Sequence, residues 1–166
     1  MSASEEELLL RERARALARP VEPERRRQGM EAILFRASGS RYALPLHEAL
    51  RILPVRDLTP LPGARRPLAG LASWRGGLLP LVDLRLLASA GRGRGIGDLT
   101  RIVVFGNDDE KVGILAESID RVIDLDPASI APLADETVEQ RHLRGMTHDA
   151  VLVLDAPGFL EMLRGG

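Results

Sequence analysis

Apolar residues in this chain come in short runs, broken by glycine, proline and acidic turns. That spacing predicts a mainly β protein, built as a sandwich or as barrels. Glu31 to Ala37 and Arg41 to Leu46 flank Ser38-Gly39-Ser40 and read as a hairpin. His47 to Val55 is a further, mostly apolar run, and Leu61-Pro62-Gly63 is a turn. Gly76 and Gly77 mark a sharp turn, since glycine reaches positive φ without a Cβ clash. Leu78 to Leu84 leaves that turn as a strand running into a second turn or short helix. Pro80 lacks a backbone N–H, which predicts an edge or bulged strand. Arg101 to Phe105 and Lys111 to Ala116 flank the acidic turn Gly106 to Glu110 and repeat the first hairpin. Arg121 to Leu125 adds a strand, and His142 to Met146 with Val151 to Leu154 forms a last pair.

Two stretches break this pattern. Ser4 followed by Glu7 is a capping box, and Leu10, Ala14, Leu17 and Ala18 recur at helical spacing. A helix over 5–19 is expected, stopped by Pro20 and Pro23. Its apolar stripe is narrow, and a frayed leader is the competing reading. Arg25-Arg26-Arg27 after it reads as a solvated linker. Gly91 to Gly97 is a flexible loop; it lacks the Gly-Lys-Ser/Thr ending of a phosphate-binding loop.

Composition narrows the function classes. The chain has 166 residues, enough for one domain with a core. A net charge near −1 argues against nucleic-acid binding through bulk positive charge. There is no cysteine, so disulfides and thiolate-held metals are excluded, and a reducing cytoplasm fits. No apolar run is long enough for a transmembrane helix, so no direct membrane insertion is expected. The acidic start, Glu5-Glu6-Glu7, is not a secretory signal. Aromatic residues make up only 3%, so the core must be Leu, Ile, Val and Ala.

Candidate chemistry is sparse. His47, His142 and His148 form no metal-binding spacing, and Asp108-Asp109-Glu110 lacks a calcium-loop pattern, so no metal and no cofactor are expected. Ser73 is not in a Gly-x-Ser-x-Gly elbow. Asp83 and Arg85 flank Leu84 and would share one face of a strand, as a local ion pair. Arg75 stands beside Trp74, the only tryptophan, at the glycine turn. It reads either as a brace on backbone carbonyls or as an interface anchor.

The stretch Gly70 to Arg85 also resembles a known signature. Gly70, Arg75, Gly76, Pro80, Asp83, Leu84 and Arg85 match the central motif of the CheW-like domain family, with Ser73-Trp74 in place of Asn-Leu. Tyr42-Ala43-Leu44-Pro45 is similar to the family's opening, and Ala116 to Val122 to a later element, with Glu117 for Asp. Leu154-Asp155 and Phe159 to Leu163 resemble its close, a Leu-Asp pair and a short helix. The resemblance implies two packed SH3-like five-stranded β-barrels over 29–166. Residues 1–28 precede them as an extra N-terminal helix and linker.

It further implies a non-enzymatic adaptor that couples the cytoplasmic tip of a chemoreceptor to the regulatory domain of a CheA-type histidine kinase. Such a protein is cytoplasmic, held near the membrane through receptor arrays. The site residues implied are Arg75, Trp74 and Gly76 at the turn, Asp83 and Arg85 after it, and Ala49, Arg51 and Ile52 on the first barrel. Arg51 stands where the family carries an acid in Val-x-Glu-Ile, on a strand associated with kinase contact. A reversed charge can set partner choice by repulsion. A divergent adaptor that binds the receptor or another partner without recruiting the kinase is therefore a second reading. A small ligand-binding barrel or enzyme is a third, with no motif to carry it.

Overall fold

In the computed structural model, residues 29–87, 98–134 and 140–165 are described. The expected helix over 5–19, the arginine linker and the glycine-rich loop fall outside them. Among the described residues the chain is mainly β, with one short α-helix near its end. The strands are β1 (Met30–Ala37), β2 (Ser40–Pro45), β3 (Ala49–Pro54), β4 (Thr59–Pro60), β5 (Leu68–Trp74), β6 (Gly77–Val82), β7 (Arg101–Gly106), β8 (Lys111–Ala116), β9 (Ser118–Leu125), β10 (Leu143–Met146) and β11 (Val151–Leu154). Helix α1 (Ala156–Arg164) follows.

They form two sheets. One runs β10-β11-β2-β1-β9 and the other β3-β7-β8-β6-β5-β4. The second therefore has six strands, not five. The extra one is the two-residue β4, which lies against Leu71 and Gly70. A Cβ on Gly70 would sit 2.6 Å from the Thr59 carbonyl oxygen, so a glycine there is what lets β4 approach. The sequence pattern signalled neither β4 nor β5.

Among the described residues, apolar side chains gather in three clusters. Phe35, Tyr42 and Leu44 of the first sheet meet Val103, Phe105 and Ile114 of the second. The opposite face of the second sheet buries Leu79, Leu81, Ile102 and Leu115. The opposite face of the first buries Ala32, Leu34, Ala43 and Val153. Because both faces are buried, strands such as β7 and β8 are apolar throughout rather than alternating.

Two expectations about strand placement need correction. Ala49, Arg51 and Ile52, expected on the first barrel, lie in the sheet that does not hold the first hairpin. Their strand, β3, pairs with β7 at the edge of the six-stranded sheet. A bulge between Ala49 and Arg51 makes this possible. Ala49 packs on the inter-sheet cluster and Leu53 on the opposite one, although their spacing is even. Only an extra residue can switch faces in that way. Pro80 is not on an edge strand, since β6 lies between β8 and β5. It is tolerated because the β6–β8 register covers only Leu81 and Val82, so the flank of β6 away from β5 is unpaired up to Pro80.

Helix α1 is held from outside. Asp155 makes no side-chain cap; instead Glu48 Oε2 accepts from the Ala156 N–H at 3.3 Å, while its Oε1 accepts from Arg144. Phe159 packs edge-on against Phe105 at 5.4 Å and His142 at 5.5 Å. The helix thereby closes one end of the inter-sheet cluster.

Candidate functional site

The tight turn between β5 and β6 is Arg75-Gly76, one residue earlier than the glycine pair suggests. Trp74 pairs with Gly77, which starts β6. Both turn residues are left-handed, Arg75 at φ 51° and Gly76 at φ 75°. A two-residue hairpin loop needs that geometry to match strand twist. Glycine adopts it freely, but an arginine at positive φ is strained. Its guanidinium lies 4.9 Å from the centre of the Trp74 ring, a cation–π contact. Arg75 is exposed, and Trp74 is half-buried, leaning on the core beneath β6.

Beside this turn is a cavity of about 590 Å³. Gly77 to Pro80 line one bank and Asp109 to Val112 the other, with Leu160 of α1 at the base. Leu78 is 74% exposed, more than any other large apolar side chain among the described residues. Arg164 Nε donates to both oxygens of Glu110 at 2.8 Å, tying α1 to the β7–β8 turn. That guanidinium holds the Glu110 carboxyl below its usual range. Lys111 Nζ donates to the Asp108 carbonyl at 2.8 Å.

Asp83 and Arg85 form a local ion pair, but a buried one and not on a strand face. They are 5% and 9% exposed, and they follow β6 rather than lying on it. Asp83 caps a short 3₁₀ turn over Leu84–Leu86 by accepting from the Arg85 N–H at 2.9 Å. Arg85 Nη2 donates to Asp83 Oδ2 at 2.7 Å. That hydrogen bond raises the Arg85 pKa, with burial opposing it and the charges of Asp83, Glu117 and Asp98 adding to it. The pair secures the end of the motif from inside.

The β3 residues form a second patch. Leu50 is 44% and Ile52 41% exposed, Arg51 is exposed, and Ala49 is half-buried on the core. Two strands, β7 and β8, lie between β3 and β6. At strand spacing that is roughly 14 Å, so the candidate residues make two separate surfaces. Sequence reasoning missed Leu78, Lys111 and Leu160. The run Leu78-Leu79 shows two apolar neighbours, and nothing in it tells that Leu79 is buried while Leu78 faces outward.

Among the described residues no group of three or more His, Cys, Asp or Glu is placed to hold a metal ion. No helix among them is long and apolar enough to cross a membrane.

Comparison with known proteins agrees with this architecture. The chain is 33% identical over 105 residues to Protein FrzA of Myxococcus xanthus, covering 63% of this chain and 62% of that protein. Its fold is similar to the crystal structure of scaffolding protein TtCheW from Thermoanaerobacter tengcongensis, with a TM-score of 0.64 at 20% identity, over 76% of this chain and 84% of that one. The family model for the CheW-like domain matches residues 31–164, from the second residue of β1 to the last of α1. With the Gly70 to Arg85 motif forming the hairpin and its buried anchor, and the match spanning both sheets, the chain belongs to the CheW-like domain family.

Proposed function

We propose that this protein is a non-enzymatic adaptor of chemosensory signalling that couples a chemoreceptor's cytoplasmic tip to a CheA-type histidine kinase. One observation carries the reading. Two sites, each with an exposed arginine and exposed apolar side chains, stand apart on one sheet: Arg75 and Leu78, beside half-buried Trp74, at one, and Leu50, Arg51 and Ile52 along edge strand β3 at the other. A coupler needs two surfaces that can be occupied together. Arginine and tryptophan concentrate binding energy at such sites. The CheW-like family match supports the assignment to this signalling class, and the printed name of the structural neighbour TtCheW, a scaffolding protein, accords with it.

The apolar clusters support a reading of two small SH3-like barrels packed face to face, one around each sheet, over 29–166. The protein acts in the cytoplasm, at receptor arrays. Gly76 sets the turn geometry, Arg75 and Trp74 contact a partner, and Asp83 with Arg85 holds the hairpin from within. Ala49 seats β3 on the core, so Arg51 and Ile52 meet the kinase.

Arg51 favours one second reading, a divergent adaptor that keeps the receptor and refuses the usual kinase. A titration with a kinase regulatory domain and then a receptor tip fragment tests both. Simultaneous binding of the two is expected. Receptor binding alone selects the divergent adaptor, and binding to neither removes the functional assignment.

A further inference from the structure

Parallel strands β6 and β8 share a register only at Leu81–Gly113 and Val82–Ile114. Toward their starts they part, and the cavity beside Arg75 is the gap between them. The register shows which peptide groups face it. A two-residue turn makes Trp74–Gly77 a hydrogen-bonded pair. Alternation along the ladder then turns the peptide groups of Leu78 away from β5, toward β8. On β8, Gly113 faces β6, so by the same alternation Lys111 faces the gap.

We propose that this gap receives an extended segment of a partner protein, which adds as a short strand between β6 and β8. The proposal rests on the reading of the Trp74–Arg75 turn as a docking site. An extended chain supplies what Leu78 and Lys111 lack, a donor and an acceptor on each flank. A helix would bring an already satisfied backbone and leave those groups unpaired. Alternate side chains of the segment rest on Leu78, Val112 and Leu160.

Charge selects its side chains. Arg75 is exposed and stacked on a ring rather than on a carboxylate. On the opposite bank Glu110 is engaged by Arg164, and Asp109 is exposed. An acidic side chain of the segment therefore sits on the Arg75 bank and is repelled from the Asp109 bank. A cavity of about 590 Å³ suits a few residues of extended chain.

The test uses the full-length protein and a phage library of random peptides. Enriched peptides are then synthesised and titrated by the fluorescence of Trp74, the only tryptophan and a wall of the gap. Enrichment of alternating apolar sequences carrying Asp or Glu is expected. Leu78→Arg, at an exposed position that leaves folding intact by its melting curve, should weaken them about tenfold or more. Methylating a single backbone nitrogen of the peptide should do the same while keeping every side chain. Peptides indifferent to both changes, or a library without enrichment, overturn the proposal. Ile52→Arg separates this site from the coupling function, because it should weaken the kinase domain and spare the peptide. A natural protein that binds receptor and kinase fragments but no enriched peptide would refute the strand site and leave the adaptor standing.

Discussion

Arg85 grips Asp83 through two donors, Nε at 2.9 Å and Nη2 at 2.7 Å, and both side chains are buried. Removing one partner takes the nearest opposite charge from a buried ion. Asp83→Ala should therefore destabilise the protein by about 3–5 kcal/mol. The 3₁₀ cap is lost with it. Asp83→Ala with Arg85→Met should recover much of that loss, since no buried charge is then left unpaired. Urea denaturation of the three variants measures it. Equal losses in the single and double variants would show that the ion pair is not what matters there.

Arg75 can be tested for bracing against docking, because its backbone is left-handed at φ 51°. The left-handed penalty is about 1–2 kcal/mol for a residue with a Cβ. Glycine escapes it but loses about 0.5–1 kcal/mol more in backbone entropy. Arg75→Gly should thus melt no lower than the natural protein, while partner affinity falls about tenfold or more. Calorimetry and a binding titration on the same sample decide it. A lower melting temperature with unchanged binding would make Arg75 a brace.

Arg51 should govern partner choice with little effect on folding. It is exposed on edge strand β3, where substitutions usually change stability by less than about 0.5 kcal/mol. Arg51→Glu is expected to strengthen binding to kinase regulatory domains that accept an acid there, and to weaken binding to the natural partner. Competition between two such domains on one surface reads out the switch.

The contact between Arg164 and Glu110 gives an acid-dependent term. Glu110's folded pKa lies below its usual 4.5, chiefly through the hydrogen bond from Arg164. A carboxyl with a depressed folded pKa contributes stability above its unfolded pKa and loses it as pH falls through the folded one. The pair is exposed, so the effect is small. Melting temperatures of the natural protein and Glu110→Gln should differ at neutral pH and converge below pH 4.5. A constant gap down to acid pH would remove Glu110 as the titrating group.

Glu48 should matter to the helix it caps from a distance. Glu48→Ala frees the Ala156 N–H and one contact of Arg144, a loss of about 1–3 kcal/mol. Hydrogen exchange should rise first in α1, whose only described N-terminal side-chain acceptor is Glu48.

Much of this protein is determined locally, and the sequence by itself carries that part. Ser38-Gly39 and the acidic Gly106 to Glu110 segment turn the chain whatever surrounds them, and the runs beside them become β1, β2, β7 and β8. The spacing of residues from Gly70 to Arg85 is specific enough to point to the family. What it does not carry is where strands go once formed. The bulge that moves β3 onto β7, and the parting of β6 from β8, are choices among partners far apart in the chain. Asp83 and Arg85 look the same on paper whether exposed or buried, and Leu78 looks like Leu79. Those differences arise from which surfaces pack together, a property of pairs of distant residues, and only the tertiary structure decides it.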